Sequence, residues 1–172
     1  MVNRQRPPVV VSACLLGQRC RYDGGHRDSP IVRGALADRE VVPVCPEELG
    51  GLGTPRPAAE LRGGDGRAVL AATGRIVTLT GADCTEAFLR GAEAALERAR
   101  AAGAREAILK DRSPSCGVSQ VHQDGGVHPG SGVFAALLKA NEFVVRADAD
   151  LGDGEVREMQ PRPPGWQRSR RP

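Results

Sequence analysis

Aromatic residues are almost missing from this chain: one Trp, one Tyr and three Phe among 172 residues. A core without large rings has to be assembled from Ala, Val, Leu and Gly packed close to the backbone, which suits helices lying on a sheet. Lysine is scarce as well; of the 24 lysines and arginines only Lys110 and Lys139 are lysine. Long apolar runs are lacking, so no membrane partner is expected. The opening MVNRQRPPVVVSACLLG has too short an apolar run for a signal peptide, and a cytoplasmic location is the expectation. Excess charge is lacking too. The net charge is +3, and five arginines against one acid after residue 156 leave the body close to neutral. This argues against a strongly basic face, and no stable nucleic-acid complex is expected. Finally, no two of the five cysteines are spaced C-x-x-C. That excludes the close ligand pairs of structural zinc and the spacing of ferredoxins. An odd number in a reducing compartment also argues against a disulfide framework.

What is present is an alternation of elements. PVVVSA, at 8–13, is a β-branched run of the kind buried on both faces of a parallel sheet, and it leads into the turn-rich CLLGQRCRYDGG. A short helix is expected over 31–38, then a second buried strand, EVVPVC, closing at Cys45. PEELGGLGTPRPAAEL reads as a long irregular loop, because its glycines and prolines interrupt any regular element, and a loop of that length is usually functional. GDGRAVLAATGRIVTLTG reads as a hairpin or a pair of short strands. Asp83 caps the longest helix, CTEAFLRGAEAALERARAAG, which ends at Gly103. REAILK, at 105–110, is a third buried strand running into DRSPSCG. VSQVHQDGGVHPG is a turn or hairpin, SGVFAALLKAN a helix stopped by Asn141, and EFVVRA a last strand. Strands alternating with helices predict an α/β fold: a single-domain, three-layer sandwich with a mostly parallel sheet. Its expected extent is residues 1–148, with 149–172 an Arg- and Pro-rich polar tail, disordered or loosely attached.

In such sheets ligands bind beyond the carboxyl ends of the strands. Cys14, Cys45 and Cys116 each follow a predicted strand and are flanked by Gly, Pro or Ser, so three strands would bring three thiols to one edge. Three separated thiolates can hold three corners of a [4Fe-4S] cluster and leave one iron open, a soft Lewis acid that favours sulfur. Cys84, in the first turn of the long helix, reads as a small buried hydrophobe, and Cys20, in the same loop as Cys14, is ambiguous. Glu47, two residues past Cys45, is placed to act as a general base on water beside a metal held there. The structural alternative is a solvated loop carboxylate or a helix-capping partner. Glu48 is expected to point elsewhere, and Glu60 to pair with Arg56 and stiffen the loop. Ser113 and Ser115 flank Pro114 beside Cys116, where a hydroxyl could reach a cluster sulfur or shuttle a proton, unless the segment is a plain turn. Lys110 sets a compact ammonium next to that turn. Gly132, in HPGSG before the last helix, offers an anionic group a helix N-terminus. His26, His122 and His128 have no triad context.

Taken in order, SACLLGQRCRYDGG, VCPEELGGLGTPRPAAE, TGADCTEAFLRGA, LKDRSPSCG and GVFAALLKAN resemble the thiouracil desulfurase family over residues 8–146. The resemblance implies a Rossmann-like single domain with a [4Fe-4S] cluster on three cysteines, which fall on Cys14, Cys45 and Cys116. It implies removal of sulfur from a thiolated uracil, 4-thiouracil or its nucleotide, without net redox change. The family's catalytic glutamate falls on Glu47 and its serine on Ser113, while Cys20 and Cys84 stay outside the cluster. Lys110, Ser115 and Gly132 are then the candidates for contact with substrate. The expected partner is a small thiolated pyrimidine and the expected assembly a monomer or weak dimer. Two other classes stay open on the residues alone. One is a nucleotide-binding module using HPGSG and the TPRP loop; the other is a thiol-redox or metal-storage protein.

Overall fold

Val9, Val10 and Val11 are fully buried, and their side chains alternate between two hydrophobic clusters. A strand so buried must be central and covered on both faces. In the computed structural model, which describes residues 6–152, this is what the first strand does; most of the segment read as a tail lies outside the described residues. In chain order the elements are β1 (Val9–Ser12), α1 (Pro30–Ala35), β2 (Val41–Val44), α2 (Pro46–Leu49), β3 (Ala59–Arg62), α3 (Gly66–Leu70), β4 (Arg75–Thr78), α4 (Thr85–Ala101), β5 (Glu106–Leu109), β6 (Gln120–Gln123), β7 (Gly126–Pro129), α5 (Val133–Ala140) and β8 (Val144–Ala147).

Strands β2, β1, β5 and β8 form a wholly parallel sheet in that order. Val10, Ala107 and Leu109 face α4 and α5, through Phe88, Ala92, Ala95, Phe134 and Leu138. Val9, Val11 and Ile108 face the other way, onto Val32 and Ala35 of α1 and Leu36. The three-layer expectation holds. Small residues on the buried face of α4, among them Gly91, Ala92, Ala95 and Ala99, let the helix sit close to its neighbours, which explains how a chain poor in rings fills its core. Among the described residues no helix is long and apolar enough to cross a membrane.

Three segments depart from the sequence reading. The expected hairpin at 64–81 is instead a helix followed by a strand: the Asp65 carboxylate accepts the Arg67 N–H at 3.0 Å and starts α3, and only its second half becomes β4. The irregular loop after Cys45 holds a short helix, α2, started by Pro46 at its first position with Glu47 and Glu48 in the first turn. The end of that loop is β3, which pairs antiparallel with β4 and, at Leu61, in parallel with β6. The β6–β7 hairpin completes a second sheet of order β4-β3-β6-β7. Leu61, Ile76 and Val121 pack it onto the α4/α5 side of the core.

Two features fix the loops above the parallel sheet. Helix α2 lies backbone to backbone on α4: a Cβ at Gly91 would stand 1.7 Å from the Pro46 carbonyl oxygen, and one at Gly50 would stand 2.0 Å from that of Ala87. Asp111, just past β5, accepts the backbone N–H groups of Val118, Ser119 and Gln120 on a single carboxylate oxygen at 2.9–3.1 Å. It thereby closes the loop that carries Ser113, Ser115 and Cys116. Burial pushes this carboxyl up, but the N–H donors together hold it below the ordinary aspartate value. A depressed folded-state value means that its contribution is complete above the usual carboxylate range and fades as pH falls through the folded value. Asp111→Asn is expected to cost about 2 kcal/mol at neutral pH, with the gap to wild type narrowing as the medium is acidified; denaturant melts at a series of pH values check this.

Candidate active site

Three neighbouring strands end together, and each hands a cysteine to the same place. Cys14 lies in the tight turn that follows Ser12, Cys45 follows β2 directly as the residue before α2, and Cys116 lies in the loop after β5. All three line one cavity of about 480 Å³ at the carboxyl edge of the parallel sheet. Glu47, Lys110, Ser113 and Ser115 line it too, so of the candidates named from sequence only Gly132 stands apart.

The reason for Gly132 is steric. The N–H of Gly132 donates to the Gly117 carbonyl, and those of Val133 and Phe134 donate to Pro114 and Ser115, so the start of α5 is spent on the SPSCG turn. A Cβ at Gly132 would stand 2.5 Å from the Ser115 carbonyl. The glycine is required by close approach of two backbones, and HPGSG serves as the floor of the cysteine loop.

Around Glu47 the hydrogen bonds order themselves. Ser113 Oγ accepts the N–H groups of Ser115 and Cys116 at 3.2 and 3.1 Å, so its own proton is directed to Ser115 Oγ, 3.1 Å away. Ser115 Oγ lies 3.5 Å from Glu47 Oε2 and 3.7 Å from Cys116 Sγ. Buried Ser115, rather than Ser113, is the hydroxyl that touches the glutamate. On its other side Glu47 meets Arg56, with Nη2 3.4 Å from Oε2 and Nε 3.5 Å from Oε1. The pairing expected between Arg56 and Glu60 does not form: Glu60 takes Arg62, two residues on along β3, and the Gly125 N–H in the β6–β7 turn instead. Glu48 points away and accepts the Thr54 hydroxyl at 2.7 Å. Lys110 Nζ is held by the Asp111 carbonyl at 3.2 Å and the Asp148 carboxylate at 3.5 Å.

A family model described as 2-thiouracil desulfurase matches residues 9–150. The chain belongs to the 2-thiouracil desulfurase family. It is 43% identical over 148 residues to the uncharacterized protein YbbK of Bacillus subtilis (strain 168), covering 84% of this chain and 98% of that one. Among solved structures it is similar to a [4Fe-4S]-dependent thiouracil desulfidase, TudS, with a TM-score of 0.73 and 39% identity over 85% of this chain and 93% of that chain.

Against this family's cavity the donor set can be tested for what it would hold. Burial pushes the Cys116 thiol up to about 12, with the Ser12 and Ser115 hydroxyls opposing. The adjacent Cys20 thiol, and then burial, push Cys45 upward as well. Thiols crowded and desolvated in this way stay protonated until a cation supplies the missing positive charge, and metal ligation does so outright. Among the described residues no three Cys, His, Asp or Glu side chains gather closely enough for a single ion. Soft thiol donors around a roomy cavity suit an iron–sulfur cluster. Arg21, Arg27, Arg56, Lys110 and Arg112 on the walls offset the charge that thiolates bring.

Sequence reasoning left Cys20 undecided. Its thiol contacts those of Cys14 and Cys45, which push it to about 11 in opposing senses, Cys14 raising and Cys45 lowering, with burial adding to the rise. Cys84 lies elsewhere, half-buried at the start of α4 with its Sγ on the Ile76 carbonyl at 3.6 Å. His122 lines the same cavity. Arg56 is the residue that sequence reasoning misplaced: besides Glu47 it donates to the Cys20 carbonyl at 2.9 Å and the Gly53 carbonyl at 3.1 Å, strapping the segment after Cys45 to the loop after β1. With its side chain only 6% exposed, Arg56→Gln is expected to cost about 3 kcal/mol and lower Tm by about 9 °C in a thermal melt. An unchanged Tm would show that the strap is held without the guanidinium.

Proposed function

We propose that this chain is a [4Fe-4S]-dependent thiouracil desulfurase that works by hydrolysis: a thiocarbonyl and one water give a carbonyl and one hydrogen sulfide, with no net redox change. The observation that carries the reading is the convergence of Cys14, Cys45 and Cys116 with Glu47 on one cavity at the ends of adjacent parallel strands. In this reading those three thiolates hold the cluster. When bound, the cluster supplies a soft Lewis-acidic iron for the thione sulfur.

The chain's own residues then have the following work. Glu47 Oε2 takes the proton of a water directed at the thiocarbonyl carbon. Arg56, paired with both carboxylate oxygens, keeps Glu47 aimed. Glu47 then returns the proton collected at Oε2 to departing sulfur or to ring nitrogen, directly or through the Ser115 hydroxyl beside it, while Ser113, fixed by two backbone N–H groups, holds Ser115 in place. Lys110, tethered to Asp148, adds positive charge to the cavity wall against the developing anion. A free thiouracil and its nucleotide both remain within this class of substrate.

Two variants test the reading after anaerobic reconstitution with iron and sulfide. Cys116→Ala is expected to bind less iron and lose the cluster's visible absorbance; full retention would remove Cys116 from the ligand set. Glu47→Gln is expected to keep the cluster while sulfide release from 2- or 4-thiouracil falls about 10²–10⁴-fold, and unaltered turnover would overturn the general-base role.

A further inference from the structure

Large apolar side chains that stand exposed are few among the described residues: Tyr22, Ile31, Leu70, Leu79, Val127 and Val144. Two of them, Tyr22 at 43% and Leu79 at 71% exposure, line the cavity of the active site. They come from different parts of the fold, Tyr22 from the loop after β1 and Leu79 from the end of β4. One short segment ties them both down. The Arg56 N–H donates to the Tyr22 carbonyl at 2.8 Å, and the Leu79 N–H donates to the Ala58 carbonyl at 2.8 Å. The strap that aims Glu47 through the Arg56 side chain therefore also fixes the backbones of two apolar residues at the same cavity. Tyr22 is the one tyrosine in the chain, and the Arg21 guanidinium lies over its ring, 5.5 Å from the centroid.

Most groups described so far on these walls are charged or hydroxylic, and such groups bind a small neutral heterocycle weakly because water competes for them. A thiopyrimidine offers two flat π-faces instead, and a ring stacked on an aromatic side chain is held whatever its substituents. We infer that Tyr22 and Leu79 form the ring clamp of this site, Tyr22 stacking on one face of the thiopyrimidine and Leu79 covering it from the second sheet. The inference rests on the desulfurase reading and adds to it the residues that select a flat substrate. Because both side chains are exposed and neither is a ligand or a base in that reading, the clamp governs binding of the ring and leaves the chemical step to Glu47.

The test is steady-state kinetics of the cluster-loaded protein with 2-thiouracil, alongside iron content. Tyr22→Ala is expected to raise KM about ten-fold with kcat and iron per chain close to wild type. Tyr22→Phe, which restores the ring without the hydroxyl, rescues KM, and Leu79→Ala raises KM in the same direction as Tyr22→Ala. If KM in Tyr22→Ala equals that of wild type, or if KM rises only together with loss of iron, the clamp is overturned while the desulfurase reading stands. If the loaded wild-type protein releases no sulfide from thiouracil, both fall together.

Discussion

Strand β1 pairs in parallel with β2 on one side and β5 on the other, and the register puts the ends of all three strands at one level: Ser12 opposite Val44, and Val11 opposite Ile108. Because the chain leaves β1 toward β2 and later returns to β5 on the opposite flank, the loops at this end diverge and open a crevice. Cys14, Cys45, Cys116 and Glu47 are all set into that opening. The valines of β1 are buried on both faces, so the strand cannot slide by one residue without exchanging the contents of two cores. The positions of Cys14, Cys45 and Cys116 are thus secured by hydrophobic packing below them.

The second sheet has a different task. Its strands contribute Leu61, Ile76 and Val121 to the core, but its larger effect is to bring the end of the long loop after Cys45 back across the cavity. Arg56 and Ala58 then lie where they can bond to the β1 loop and to the end of β4. The fold thereby joins one rigid wall of thiols, rooted in the parallel sheet, to a second wall carried by β3 and β4. Asp111 does the same for the cysteine loop after β5, gathering three N–H groups on one oxygen.

The parallel sheet and the meeting of three cysteines at its carboxyl edge were legible in the sequence because they depend on local signals. Continuous β-branched runs mark doubly covered strands, and Gly, Pro or Ser beside each cysteine marks the loop beyond. What could not be read depends on pairings between distant segments. The β3–β6 contact rests on one parallel partnership, Leu61 with Gln123, which no local pattern announces. Arg56 has carboxylates on either side of it in sequence, Glu47 and Glu60, and only the fold decides between them. Ser113 and Ser115 look alike in SPSC; they differ because Ser113 is consumed by two backbone N–H groups and Ser115 is left to face Glu47. Gly132 looked like an anion site because a helix start and a backbone-to-backbone contact both call for glycine. The Cys20 thiol was ambiguous for the same kind of reason: a loop sequence does not say which way it folds over.

The glycine contact between α2 and α4 gives catalysis a remote steric condition. Glu47 sits in the first turn of α2, and α2 rests directly on the α4 backbone at Gly50 and Gly91. No side chain fits in that seam, not even a methyl group. The height of the α2 backbone over the cavity is therefore gauged by the thickness of two peptide chains, a dimension that does not change with rotamer or solvent. Residue 91 lines no part of the cavity, yet any side chain there would lift α2 and shift Glu47 relative to the thiols. The chain sets its most demanding distance with the two residues that have nothing to adjust.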